Sequence, residues 1–319
     1  MPVQKNNKKT PAFEVSLPAS TSNLGAGFDC FGLALNLYLT ILATTNPDGE
    51  ELCRVRTTGP RENATLPNNA TNLIYRAMAY TAKRENFTLP PVDLMVHNEI
   101  PLASGLGSSG AAIVGGIKLS GLLTGKELTD EKIQTYATEF EGHPDNVAAA
   151  LYGGFVINCV TGKGEVLSIK AEWPRDLQIV VVSPRSQLST LTARAQLPRS
   201  VSRADAVYNV QRATLFVSAL MNRRYELLWE AMRDRLHQPA RESLVPGLRE
   251  ALALPQKPGL YGIALSGAGP GILALVKDRP KEIGVEIANC FEANKIRSTI
   301  RVLEADNNGC QVKRQVGKE

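Results

Sequence analysis

Pro101-Leu-Ala-Ser-Gly-Leu-Gly-Ser-Ser-Gly-Ala-Ala112 follows an extended, β-rich run, Val92-Asp-Leu-Met-Val-His-Asn98. It leads into small apolar residues that predict a helix from Ala111 to Leu123. A Gly/Ser loop between a strand and a helix leaves backbone N–H groups unpaired at the helix start. Those donors, with the positive end of the helix dipole, make an anion site. Gly105, Gly107 and Gly110 let the main chain approach a phosphate with no Cβ in the way. Ser108 and Ser109 add hydroxyls for phosphate oxygens or an associated cation. The stretch reads as a nucleotide-phosphate loop, against the plainer reading of an unliganded strand–helix turn.

The same glycines satisfy G-x-G-x-x-G, but a dinucleotide fold also needs an acid ending the next strand, roughly 20 residues on. That region is Gly125-Lys-Glu-Leu-Thr-Asp-Glu-Lys132, which reads as a helix start with Thr129 as N-cap and acids in the first turn. A dinucleotide-dependent oxidoreductase is therefore disfavoured. The pattern G-x-x-x-x-G-K-[ST] is absent, so this is not a Walker loop.

Composition narrows the partners. The 319 residues suffice for two domains, or one large one, with ample core. Three lysines in residues 1–9 and a net two positive charges in residues 312–319 account for the whole formal charge of +5. The body is neutral and carries no basic stripe with interleaved aromatics, so nucleic acid is not an expected partner. Five scattered cysteines without a C-x-x-C spacing argue for a reducing compartment and against a disulfide framework or a zinc site. No apolar run approaches the roughly 18 residues of a membrane span, and the N-terminus has no signal-type apolar core. The expected location is cytoplasmic, with no membrane partner.

Outward from the loop, strands are expected at Phe13–Leu17, Phe31–Leu35, Leu37–Thr44 and Cys53–Thr57, with a helix at Asn72–Lys83. Between the first two strands, Pro18-Ala-Ser-Thr-Ser-Asn-Leu-Gly-Ala-Gly-Phe-Asp29 sets polar Asn23 and Asp29 around two glycines, where backbone can approach a ligand. A helix at Asp130–Glu141 is broken by Gly142-His-Pro-Asp-Asn146, with Pro144 suited to the first position of the next helix. Asp145 and Asn146 then lie in its first turn. A hairpin at Phe155–Val160 and Val166–Ala171 closes the first half. Beyond a boundary near residues 171–176 come a strand at Leu177–Ser183, a loop or helix start at Ser189–Arg194, and helices at Arg203–Met221 and Tyr225–Arg233. His237-Gln-Pro-Ala-Arg241 falls in a connection. Strands Gly262–Ser266 and Ile272–Val276 flank a second glycine loop, and a helix (Lys281–Asn294) and a strand (Ser298–Leu303) finish the body. The order β-α-α-β-β-α-β is that of a split β-α-β, ferredoxin-like layer.

Three glycine-bearing stretches, Asn23–Asp29, Pro101–Ala112 and Leu265–Gly271, stand in an order that resembles the GHMP family of small-molecule kinases. Within it, residues 18–29, Glu141-Gly-His-Pro-Asp-Asn146, Ser189-Thr-Leu-Thr-Ala-Arg-Ala-Gln-Leu-Pro198 and His237–Arg241 are similar to the homoserine kinases. The likeness runs from about residue 13 to residue 305. Gly110 and Ala149 stand where the family more often shows Ala and Pro, and neither change removes a functional side chain.

The resemblance implies an α+β, two-domain fold: a basic, disordered tail (1–11), an S5-like ATP-binding domain (12–171), a ferredoxin-like domain (172–312) and a basic tail (313–319). It implies ATP-dependent phosphorylation of the L-homoserine hydroxyl on the route to threonine, with Mg²⁺, commonly in a homodimer. Pro101, Leu102, Ala103, Ser104, Gly105, Leu106, Gly107, Ser108, Ser109, Gly110 and Ala111 would hold ATP. Ser109 and an acid, Glu141 or Glu139, would hold the metal. A zwitterionic acceptor needs a cation for its carboxylate and an anion for its ammonium, and Arg194 and Arg241 suit the first role. Asn23, Asp29, His143, Asn146 and Thr190 join the substrate site by resemblance, with Asn146 reaching the hydroxyl. Asp29, Asp145 or the γ-phosphate itself would accept the hydroxyl proton. The rivals are another GHMP kinase of mevalonate type and a catalytically silent nucleotide-binding sensor.

Overall fold

The structure is a computed structural model that describes residues 12–46, 49–60, 65–186 and 188–315. Its first half is a sheet backed by helices. Strands β1 (Ala12–Ser22), β2 (Phe31–Thr45), β3 (Cys53–Thr58) and, after helix α1 (Leu73–Arg84), β4 (Val92–Asn98) lie in the order β1-β2-β4-β3. Only β3 and β4 are parallel, joined across α1. Helices α2 (Ser108–Thr124), α3 (Asp130–Glu141) and α4 (Asp145–Tyr152) follow, then the hairpin β5 (Phe155–Val160) and β6 (Val166–Ala171).

The two strands expected at 31–35 and 37–44 are one strand. The register against β1 slips between Pro18 and Ala19, opposite the stretch from Leu35 to Tyr38, so the alternation breaks while pairing resumes. Past the slip, β2 pairs β4 through residues 39–45 and β5 through residues 31–33. The long strand thus carries two arms of the sheet, and the turn leading into it, residues 23–30, sits at the mouth of the cleft.

Helix α2 is the pivot. Most of its surface is buried, and a Cβ on Gly116 would stand 2.3 Å from the Ile74 carbonyl oxygen of α1, so only glycine permits that approach. It begins at Ser108, a turn earlier than the apolar pattern suggested, because Gly107 caps it in the left-handed region (φ 66°).

The second half holds β7 (Gln178–Pro184), α5 (Thr190–Ala195), α6 (Arg203–Met221), α7 (Leu228–Ala231), α8 (Gln238–Arg241) and α9 (Leu248–Leu252). Then come β8 (Leu260–Leu265), β9 (Ile272–Val276), α10 (Pro280–Glu292) and β10 (Ser298–Leu303). The sheet order β10-β7-β9-β8, antiparallel throughout, is the ferredoxin-like arrangement expected. Val180, Val182, Ile272 and Ala274 face α9 and α10 across one core. Ile179, Val181, Leu273 and Leu275 share the other core with α6, α7 and the first half, so the two halves are joined by continuous apolar packing.

Three expectations are corrected. Residues 304–315 leave the second sheet and return to the first: Ala305 bridges Leu35, and β11 (Gln311–Gln315) adds to the edge of β1. The basic tail expected from 313 therefore begins inside a strand. All of β11 is exposed, which is why its sequence carries no alternating pattern. Pro144 is the N-cap of α4, not its first residue. His237–Arg241 is not an irregular connection, since Gln238–Arg241 forms α8, started by Asp234, whose carboxylate accepts from the backbone N–H of Leu236, His237 and Gln238. The tail expected over 1–11 and residues 316–319 fall outside the described residues.

Candidate active site

One cleft of about 520 Å³ runs between the halves, lined by residues from Ser22–Asp29, Pro101–Ser109, Glu141–Asn146, Leu188–Arg194, Arg241 and the 266–271 loop. Of the residues expected in the site, all line it except Glu139, the alternative metal ligand, and the helix residues Gly110 and Ala111. Those two are buried in the first turn of α2, where a Cβ on Gly110 would meet Asn146 at 3.2 Å.

The phosphate loop is shaped by backbone contacts. No side chain caps the start of α2 and no acid sits in its first turn, so its N–H groups face the cleft uncompensated. Gly105 takes φ 78°, and a Cβ there would lie 2.1 Å from the Ser266 carbonyl oxygen. The second glycine loop braces the first: Ser266 Oγ donates to Gly105 O at 2.7 Å, and Gly267 N donates to Ser22 O at 3.2 Å. Asn23 Nδ2 donates to Gly267 O at 2.9 Å, so all three glycine-bearing stretches meet around one point.

At the start of α2, Ser109 Oγ donates to Glu141 Oε1 at 2.5 Å. Glu139 points elsewhere, accepting from Tyr80 Oη at 2.5 Å and pairing Arg84 at 2.9 Å on α1. One helical turn has 3.6 residues, so acids two apart face different sides. Ser109 and Glu141 are hard oxygen donors and suit Mg²⁺, which takes few protein ligands and fills its shell with phosphate and water.

Asp145, inside the protein, accepts from His143 Nδ1 at 2.6 Å and from Asn146 N at 2.7 Å. Burial would raise the Asp145 pKa, but the His143 bond and charge outweigh it and hold it below the ordinary value. His143 moves up by the converse balance: burial lowers its pKa and Asp145 raises it more. Both shifts run toward the charged form of the pair. Asn146 is fully engaged, with Oδ1 accepting from Ser20 Oγ at 2.9 Å and Nδ2 donating to Ser22 Oγ at 3.1 Å. Its free reach to a hydroxyl, expected from the sequence, is thus occupied by a serine network. Asp29, His143 and Asp145 bring three ligand-type atoms within 4.8 Å, yet both acids already have partners, Arg194 on Asp29 and His143 on Asp145.

Arg194 does not stand free. It clasps Asp29 with two bonds, Nη2 to Oδ1 at 2.6 Å and Nη1 to Oδ2 at 3.0 Å. Arg241 is the opposite case. It is 1% exposed, and among the described residues no carboxylate lies within ion-pair distance. Its donors reach only carbonyl oxygens of Ala193 and Gly267, at 3.3 and 3.4 Å, and the His237 ring. Burial, then the Arg194 charge, lowers its pKa, so a bound anion would be favoured there.

Other wall residues had no signal that the sequence reading used. Phe28 lies under both guanidiniums, 5.6 Å from Arg194 and 5.5 Å from Arg241. The far end of the cleft is apolar, lined by Leu66, Pro67, Leu73, Ile74 and Val96 with Asn72 and Asn98 beside them. The turn-rich run Pro67-Asn-Asn-Ala-Thr-Asn72 before α1 is the one pattern that could have marked it.

Comparison with known proteins agrees with this geometry. The model of the GHMP kinases N-terminal domain matches residues 72–154, and that of the GHMP kinases C-terminal region matches residues 216–293. A homoserine kinase of Desulfitobacterium hafniense is 40% identical over 299 residues, 93% of this chain and 99% of that protein. One from Aquifex aeolicus is 40% identical over 300 residues, 94% and 99% of the two chains. The crystal structure of homoserine kinase from Cytophaga hutchinsonii superposes with a TM-score of 0.82 at 27% identity, covering 95% of this chain and 97% of that one. A mevalonate kinase structure, at 18% identity and a TM-score of 0.65 over 92% and 99% of the two chains, shares the fold.

Proposed function

We propose a specific reaction from a plain premise: the chain belongs to the GHMP kinase family, in its homoserine kinase branch. It is an ATP-dependent kinase that phosphorylates the hydroxyl of L-homoserine, giving O-phospho-L-homoserine for threonine biosynthesis. The observation that carries the substrate assignment is Arg241, a buried guanidinium with no carboxylate within ion-pair distance among the described residues, lining the same cleft as Asp29 and Arg194.

Phosphoryl transfer needs positioning and charge stabilisation more than covalent help. The N–H groups of residues 105–109 hold the phosphates, and the apolar end at Leu66, Ile74 and Val96 takes the base. Ser109 and Glu141 would hold Mg²⁺, which would neutralise charge on the phosphate oxygens. In the acceptor half, Arg241 takes the substrate carboxylate. The ammonium takes the place of the Arg194 guanidinium on Asp29, releasing Arg194 to join Arg241. Asn23, His143, Asn146 and Thr190 complete the wall around it. Of the three proton acceptors, the transferring phosphoryl group is favoured. Asp145 already accepts from His143 and Asn146, and Asp29 from Arg194. A cytoplasmic enzyme acting as a homodimer completes the reading.

The test is ADP release with ATP and magnesium, comparing L-homoserine, L-serine, L-threonine and mevalonate. Turnover confined to L-homoserine is expected. Turnover of mevalonate alone would move the chain to its rival kinase class, and ATP binding without any turnover would support a sensor.

A further inference from the structure

The site just described leaves one buried titratable group unused. His237 is completely buried at the start of α8, between the loop carrying Asp29 and the helix carrying Arg241. We propose that His237 is a positioning residue for Arg241, its Nδ1 accepting from the guanidinium and thereby aiming that cation into the acceptor half of the cleft. The inference rests on the reading of Arg241 as the carboxylate ligand.

The two ring nitrogens have partners that determine the proton's place. Nε2 lies 2.9 Å from the Gly25 carbonyl oxygen, which can only accept, so Nε2 carries the hydrogen. Nδ1 lies 3.3 Å from Arg241 Nη1, which can only donate, so Nδ1 must offer a lone pair. Both contacts demand the same neutral tautomer. Burial pushes the ring in that direction, lowering its pKa against the opposing pull of Asp234. Asp234 is 3.7 Å from Nε2, but its oxygens are occupied by Asn209 and the N–H groups that begin α8. The Phe28 ring stacks on the imidazole at 5.0 Å and 21°, fixing its plane.

The geometry also links the two ends of the acceptor site. Gly25 and Phe28 belong to the turn that presents Asp29, and Arg241 lies one helical turn from His237. A single ring therefore ties the group that receives the ammonium to the group that receives the carboxylate. Arg241's other bonds, to carbonyl oxygens at 3.3 and 3.4 Å, are as long as the 3.3 Å contact with His237, so its orientation is shared among three comparable contacts, of which the imidazole is the one from a side chain.

Two substitutions separate positioning from packing. His237→Gln retains an amide hydrogen for the Gly25 carbonyl and has no acceptor at the Nδ1 position that faces Arg241. His237→Asn puts a side-chain oxygen where Nδ1 stands. KM for L-homoserine and for ATP is measured for both, beside Arg241→Ala, in the full-length protein. The Gln variant is expected to raise the L-homoserine KM about tenfold or more, as loss of one charge-assisted bond implies, with the ATP KM within about twofold. The Asn variant is expected to recover most of the loss.

In the wild type, burial holds the His237 pKa below its ordinary value of 6.5, so the ring keeps its Nδ1 lone pair and the L-homoserine KM should climb on its account only as pH falls below that value, where a protonated ring would oppose a donor with a donor. The charged groups facing the ring are Asp234, Asp29 and Arg241. All three remain in the Asn variant, so a climb lost there belongs to the imidazole.

If Arg241→Ala raises the L-homoserine KM but His237→Gln does not, the positioning role is wrong and the site reading stands. If Arg241→Ala leaves that KM unchanged, both fall. If the variants do not fold, the ring nitrogen chemical shifts of His237 in the wild type decide: a neutral ring with its hydrogen on Nε2 supports the proposal, and a hydrogen on Nδ1 overturns it.

Discussion

At one end of the cleft the binding groups are main-chain N–H groups from a single run, residues 105–109. At the other they are side chains drawn from three distant elements, Asp29, Arg194 and Arg241. The first half is preformed, because backbone donors at a helix start cannot turn away and no side chain caps them. The second half is partly satisfied with itself, Arg194 on Asp29, and partly uncompensated, since among the described residues no carboxylate lies within ion-pair distance of buried Arg241. A site made of backbone can be blocked but not deleted, whereas a site made of charges can be removed one group at a time.

Blocking the backbone half should have the largest effect. Gly105→Ala sets a Cβ into the Ser266 carbonyl oxygen at 2.1 Å and forces a side chain into the left-handed region. Steady-state kinetics should show kcat/KM reduced about a thousandfold or more, with stability lower by roughly 1–3 kcal/mol in urea denaturation. Near-normal turnover would mean that the loop does not need its present shape.

Next in size is the acid beside the loop. Glu141→Gln should lower kcat by about ten- to a hundredfold and raise the magnesium concentration for half-maximal rate, as loss of a charged metal ligand predicts. Glu139→Gln, two residues away and facing Arg84, should change kcat by less than about twofold. Equal effects would erase the distinction between the two acids.

The smallest effect concerns stability and pH. Asp145 has a folded pKa below the ordinary aspartate value of 3.8, so its contribution is present above that value and lost as pH falls through the folded one. Urea midpoints measured from pH 6 down to about pH 3 should fall more steeply in the wild type than in Asp145→Asn. Parallel curves would show that the His143 pairing adds nothing to the folded state.

The same contrast explains what could be read without coordinates. The phosphate loop was legible because its determinants are contiguous: a strand, three glycines, two serines and a helix within 20 residues or so. The order of elements in the second half was also legible, since β7, β8 and β9 carry clear apolar runs and β10 a short β-branched one. The acceptor half was reachable only through family resemblance. No local pattern tells that Asp29 and Arg194, 165 residues apart, form a pair. The apolar wall at Leu66, Ile74 and Val96 looks like ordinary core in sequence, and β11 looks like a solvated tail because its pairing leaves every side chain exposed.

The two halves meet most directly in calorimetric titrations of Arg241→Ala. ATP with magnesium and, separately, L-homoserine are titrated into the variant and into the wild type. Unchanged ATP affinity is expected, with L-homoserine binding weakened about a hundredfold or lost. If L-homoserine bound the variant as tightly as the wild type, Arg241 would not hold the substrate carboxylate and the division of the cleft described here would be wrong.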